Sequence, residues 1–161
     1  MNVAIVNRQR TKKINTRFLK QVAAELFGEL EISATELGVH LVGAKKMAQV
    51  NRQYLQHEGS TDVITFDHSE KRPAASGQRK QIHGELFICV DDAVAQAKAF
   101  KTNWQSEVVR YLVHGVLHLL GYDDLQPDLR REMKREENRL VRRLEKRFAL
   151  AQLSRTVKMS A

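Results

Sequence analysis

"SEVVRYLVHGVLHLLGYDD", residues 106–124, is the stretch on which the fold turns. From Ser106 to Leu120 it is apolar on nearly every side, the pattern of a helix buried inside a domain and not of one lying on its surface. Gly121 is the residue expected just past a helix end. Inside the apolar run stand His114 and His118, four residues apart. On a helix, i and i+4 side chains share one face with Cβ atoms about 5–6 Å apart, so both imidazoles can reach one tetrahedral ion at roughly 2.0 Å. The spacing alone is weak evidence, because six histidines in 161 residues would give about 0.2 such pairs by chance. Context strengthens it. Two neutral histidines in an apolar helix otherwise need two separate hydrogen-bond arrangements, and Gly121 lets the chain turn sharply enough for Asp124 to swing back to the same ion. The resulting spacing is HxxxHxxGxxD. Asp124 also has a plainer reading, as a loop or cap acid beside Asp123.

Working outward, "NVAIVN" (2–7) is a short strand, and Thr16 to Phe27 places Phe18, Leu19, Val22, Ala23, Leu26 and Phe27 at helical spacing. "LGVHLV" (37–42) alternates as a half-buried strand does, and Gly43 breaks it before a helix over 44–55. "DVITF" (62–66) and "ELFICV" (85–90) read as two more strands. The polar stretch 67–83 between them reads as a long exposed loop. A helix runs from Asp91 to Phe100. Pro127 and Asp128 open a last helix whose Leu129, Met133, Leu140, Leu144 and Phe148 form one stripe. The layout predicts an α+β domain, a small mixed β-sheet packed with helices around the central helix. Residues 1–148 are expected to form it, with 149–161 as a tail.

A chain of 161 residues, 42% hydrophobic, can bury roughly 70% of its unfolded surface in one domain. The apolar run Val3 to Val6 is too short for a signal-peptide core, and no stretch approaches a membrane helix, so a soluble cytoplasmic protein is expected. Cys89, in an apolar run and without an intramolecular disulfide partner, reads as a small buried hydrophobe, not a ligand or nucleophile. The net charge of +8 is unevenly spread. Residues 1–20 carry six Lys/Arg and no acid, 127–161 carry eleven against five, and the 106 residues between carry ten against fourteen, or +6, +6 and −4. Basic ends around an acidic middle suit a protein whose periphery grips a polyanion while its centre holds a cation.

The spacing nearly matches the zinc-protease signature HExxHxxGxxH, in which the glutamate is the general base. Position 115 is glycine, so a peptidase on this helix would have ligands but no group to activate water.

"HGVLHLLGYDD" (114–124) resembles the signature HGxLHLxGYDH of the YbeY family, the metal-dependent endoribonucleases of bacterial rRNA maturation and ribosome quality control. The resemblance extends to "NRQYL…STDVITF" (51–66) and "GELFICVDDA" (84–93), and Met133, Glu136 and Glu137 fit the family's final helix. It covers roughly residues 40–145 in order. It implies a zincin-like fold and one Zn²⁺ held by His114, His118 and Asp124. It further implies single-strand-specific cleavage in 16S rRNA 3′-end maturation, with single-stranded RNA, the small ribosomal subunit and assembly proteins as partners.

Two departures stand out. Asp124 replaces the family's third histidine; aspartate ligates zinc well at about 2.0–2.2 Å, but its charge should make bound water less acidic. Leu55 replaces an arginine found in many members, and Arg52, His57 or a residue of the 67–82 loop is the candidate to contact RNA in its place. The alternatives, from other functional classes, are an RNA- or ribosome-binding assembly factor with a structural metal, and a metallopeptidase.

Overall fold

The structure is a computed structural model, and it describes residues 2–55, 59, 61–69 and 80–154. Four strands form one mixed sheet in the order β1-β2-β4-β3: β1 (Asn2–Asn7), β2 (Ile32–Val42), β3 (Val63–Asp67) and β4 (Lys80–Cys89). β1, β2 and β4 run parallel, and β3 closes the edge antiparallel to β4, pairing Val63 with Ile88 and Asp67 with Gly84. Parallel strands need crossovers. Between β1 and β2 the crossover is α1 (Thr16–Glu29), started by Asn15, whose side chain accepts from the Phe18 N–H at 3.1 Å.

Alternation divides the sheet into two unlike faces. Leu37, Val39 and Leu41 of β2 and Ile82, Leu86 and Ile88 of β4 enter the main core, under α1, α4 (Trp104–Leu119) and α5 (Pro127–Arg147). On the other face, α2 (Ala44–Val50) covers only the carboxyl ends of the strands, where Met47 and Val50 pack on Val42, Ile64 and Cys89. α2 continues into a π-helical turn, Asn51–Leu55, whose buried Asn51 donates to the Gly59 carbonyl at 2.9 Å. α3 (Val90–Phe100) follows β4 directly.

α4 is the buried central helix that its composition predicts: nine of its residues are buried, among them Val108, Val109, Leu112, Val113, Val116 and Leu117. It lies unusually close to the sheet at Gly115, where an added Cβ would come within 2.6 Å of a Leu86 methyl. β2 and β4 each begin about five residues earlier than their hydrophobic alternation suggests, so residues 80–83 of the expected loop belong to β4. In the final helix the stripe holds for Met133, Leu140 and Leu144, while Leu129 is exposed along with the rest of the first turn. Phe148, just past the helix, meets Phe18 edge-on at 5.7 Å. Residues 149–161 read as a tail, yet the 3-10 turn Leu150–Ser154 seats Leu150 and Leu153 in the main core.

Candidate metal centre

α4 ends in a turn that reverses the chain within a few residues. Gly121 adopts φ 101, a left-handed conformation that glycine takes without strain. Its N–H donates to the His118 carbonyl at 3.0 Å, and the Tyr122 N–H donates to the Leu117 carbonyl at 3.0 Å. This pair of bonds is a Schellman cap. The reversal brings the Tyr122 carbonyl to His118 Nδ1 at 3.1 Å and aims the Asp124 carboxylate at both imidazoles. Asp123 does the other job expected of this acidic pair: its side chain accepts from the Leu125 N–H at 2.8 Å and shapes the loop.

The three donors converge. His114 Nε2 and His118 Nε2 stand 3.1 Å apart, and Asp124 Oδ2 lies 3.9 Å from the first and 3.6 Å from the second. Ligands about 2.0–2.1 Å from one tetrahedral ion lie about 3.3 Å from each other, so these separations are those of a ligand set. Among the described residues this is the one group of His, Cys, Asp or Glu side chains that could hold a metal ion.

The hydrogen bonds on the far sides of the rings test whether a cation fits. His114 Nδ1 lies 2.8 Å from Glu137 Oε1, and Glu137 also accepts from Arg110 at 2.8 Å and Lys134 at 2.9 Å. Burial alone would raise the Glu137 carboxyl, but the bonds from His114, Lys134 and Arg110 outweigh it and hold the group down at about 2. An ionised carboxylate only accepts, so His114 Nδ1 must donate; the Tyr122 carbonyl only accepts, so His118 Nδ1 must donate. A neutral imidazole carries one proton. With both protons on Nδ1, two Nε2 lone pairs face each other at 3.1 Å, an arrangement that makes no hydrogen bond and that a shared cation relieves. The donors also remain accessible, with side chains 27% exposed for each histidine and 42% for Asp124.

The sequence anticipates His114, His118 and Asp124 as neighbours, and the structure brings them together. Arg52 and Leu55 are exposed on the π-helical turn; His57 lies outside the described residues, as does most of the 67–82 loop. Position 115 faces Leu86, away from any role as a base. Cys89 is buried, and that burial pushes its thiol up to about 12, as suits a core residue. Sequence reasoning missed the partnership of Glu137 with Arg110 and Lys134. The available signal was a carboxylate in register with Met133, Leu140 and Leu144 on a buried stripe.

Fold and site together define an α+β protein that can present one partly exposed cation at the end of a buried helix. The chain belongs to the Endoribonuclease YbeY family, whose model matches residues 1–145. An Endoribonuclease YbeY of Chlorobium luteolum is 35% identical over 131 residues, covering 81% of this chain and 89% of that protein. One of Phocaeicola vulgatus is 39% identical over 119 residues, covering 74% and 78%. A Thermotoga maritima protein solved in solution shares the fold with a TM-score of 0.66 and 20% identity, over 99% of this chain and 100% of that one. Among the described residues no helix is long and apolar enough to cross a membrane.

Proposed function

We propose that this chain is a zinc-dependent endoribonuclease that cuts single-stranded RNA, acting in late maturation of the 16S rRNA 3′ end and in ribosome quality control in the cytoplasm, with the small ribosomal subunit and its assembly proteins as partners. Family membership supports the RNA-cleaving part of this reading. The observation that carries the metal is the pair of Nε2 atoms facing each other at 3.1 Å with both Nδ1 protons committed elsewhere. His114, His118 and Asp124 are the proposed ligands.

A zinc ion held by three protein ligands keeps one position open and supplies Lewis-acid stabilisation of charge on a phosphate. The chain's own residues do the rest. Glu137 and the Tyr122 carbonyl fix the tautomers and ring orientations of the two histidines, while Arg110 and Lys134 keep Glu137 ionised. Arg52, exposed and without an ion pair among the described residues, is the candidate to hold a phosphate, with His57 five residues further along the chain. A peptidase would need a base at position 115, and Leu86 occupies the space such a side chain would take.

The test sets single-stranded RNA, duplex RNA and an unstructured peptide against purified protein, with His114→Ala alongside and zinc measured in both. Expected are about one zinc per chain, slow cleavage of the single strand only, and loss of both in the variant. Tight RNA binding without cleavage would shift the reading to an assembly factor, and peptide cleavage would restore the peptidase.

A further inference from the structure

The sheet face turned away from α4 carries a connected row of rings. His40 of β2 stacks on Phe87 of β4 with centroids 4.4 Å apart and planes 13° from parallel. Phe87 meets Phe66 of β3 edge-on at 5.7 Å, and Phe66 meets Tyr54 of the π-helical turn at 5.5 Å. The row thus crosses four elements, three strands and the turn. α2 walls one end of it, and among the described residues no helix covers the remainder, so Tyr54 stays 60% exposed and His68 is exposed as well. In the middle sits Glu85, accepting from His40 Nε2 and His68 Nε2 at 2.9 Å each.

We propose that this face is a stacking platform for the bases of single-stranded RNA, with Tyr54 as its outermost ring. The inference rests on the endoribonuclease reading and adds a binding surface to it. The charge arrangement sets the orientation of the strand. A carboxylate at the centre of the floor repels phosphates but accepts hydrogen bonds from base amino groups. Bases therefore face the floor and the backbone faces outward. A duplex, whose bases are already paired and stacked, cannot use such a surface. The platform and the metal centre lie on opposite faces of the sheet: Gly84, between His83 and Glu85 on β4, faces Leu119 of α4, where an added Cβ would lie 2.7 Å from a Leu119 methyl.

Fluorescence anisotropy with the zinc-loaded full chain tests the platform, read at mixing and before cleavage. The probes are a labelled oligoadenylate of about ten nucleotides and an abasic oligomer of the same length and charge. Wild type should bind the oligoadenylate at least tenfold more tightly than the abasic strand. Tyr54→Ala should lose roughly tenfold on oligoadenylate and nothing on the abasic strand, with zinc content and Tm unchanged, and Tyr54→Phe should restore binding. The salt dependence should match wild type, because phosphate contacts are untouched. Equal affinity of wild type for both strands, or of Tyr54→Ala and wild type for oligoadenylate, overturns the platform and leaves the endoribonuclease reading standing. Absence of RNA binding altogether overturns both.

Discussion

His114, His118 and Glu137 on the helical side of the sheet, and His40, His68 and Glu85 on its open side, use the same side-chain types to opposite ends. In the first cluster the buried carboxylate accepts a hydrogen bond from Nδ1, behind the ring, and the front nitrogens are left with lone pairs that converge with Asp124. In the second the carboxylate lies between the rings and accepts hydrogen bonds from both Nε2 atoms, so the nitrogens that face each other's neighbourhood are already satisfied. Composition does not separate a ligand set from a hydrogen-bonded pair of imidazoles. Where the carboxylate stands relative to the rings does, because it decides which nitrogen keeps its lone pair.

The largest expected effect comes from removing a converging donor. His118→Ala should reduce zinc from about one per chain to near none, a loss beyond the roughly 100-fold that marks the upper range for an outer partner. Asp124→Ala should cost most of the affinity, whereas Asp124→His should keep zinc bound. Glu85→Gln should leave zinc content at the wild-type level. Metal analysis of the four proteins checks this, and a drop in Glu85→Gln would erase the contrast between the clusters.

Next in size is Glu137. Glu137→Gln keeps the volume but weakens the anchor behind His114, and zinc affinity should fall about 10–100-fold. Glu137→Ala additionally leaves Arg110 with Asn138 alone and Lys134 without its partner. Their side chains are 28% and 61% exposed, so solvent compensates in part, and the stability cost should be about 3 kcal/mol, the lower end for a broken buried pair. Isothermal titration and urea unfolding of the apo proteins measure the two quantities separately. If Glu137→Gln binds zinc as wild type does, tautomer control by Glu137 is wrong.

The same contrast explains what could be read in the sequence. His114, His118, Gly121 and Asp124 were legible because helix periodicity and a glycine turn are local, and both place side chains a few residues apart. The open-side cluster was not, because it depends on strand order: β4 inserts between β2 and β3, and pairing over such separations leaves no local mark. The early start of β4 was hidden by Gly84, which reads as a break. The glycine is required there because an added Cβ would sit 2.4 Å from the Phe66 carbonyl oxygen. The start of β2 was hidden by Thr35, a polar residue at an inward position. Residues 51–55 read as plain helix in the sequence, because their π-helical geometry follows the tertiary anchor of Asn51 on Gly59.

Gly115 sharpens the comparison at a smaller scale, for it lets the ligand helix approach the sheet. Gly115→Ala pushes a methyl into Leu86, a fully buried side chain, and should cost about 1–3 kcal/mol by overpacking. Zinc should still bind, because the atoms nearest the added methyl belong to Leu86 and not to either histidine. Chemical denaturation with zinc analysis distinguishes the outcomes: a variant as stable as wild type would mean that the close approach is not constrained by position 115.

The smallest expected effect belongs to the open-side cluster and is lost in acid. Hydrogen bonds from His68 and then His40 hold the Glu85 carboxyl below its ordinary value of 4.5, against a smaller opposing push from burial. A carboxyl whose pKa is lower in the folded chain than in the unfolded one adds stability above the unfolded value and loses it as pH falls through the folded value. Wild type should therefore exceed Glu85→Gln in stability by a constant amount at neutral pH, and the difference should close below about pH 4.5. With the side chain 42% exposed, solvent screens the interaction and keeps the difference small. Thermal melts of chelator-treated proteins from pH 7 downward measure it without a contribution from metal release. A gap that persists unchanged well below pH 4.5 would show that the stabilisation comes from the packing of Glu85, not from its charge, and that the protons of His40 and His68 are not committed to it as the geometry requires.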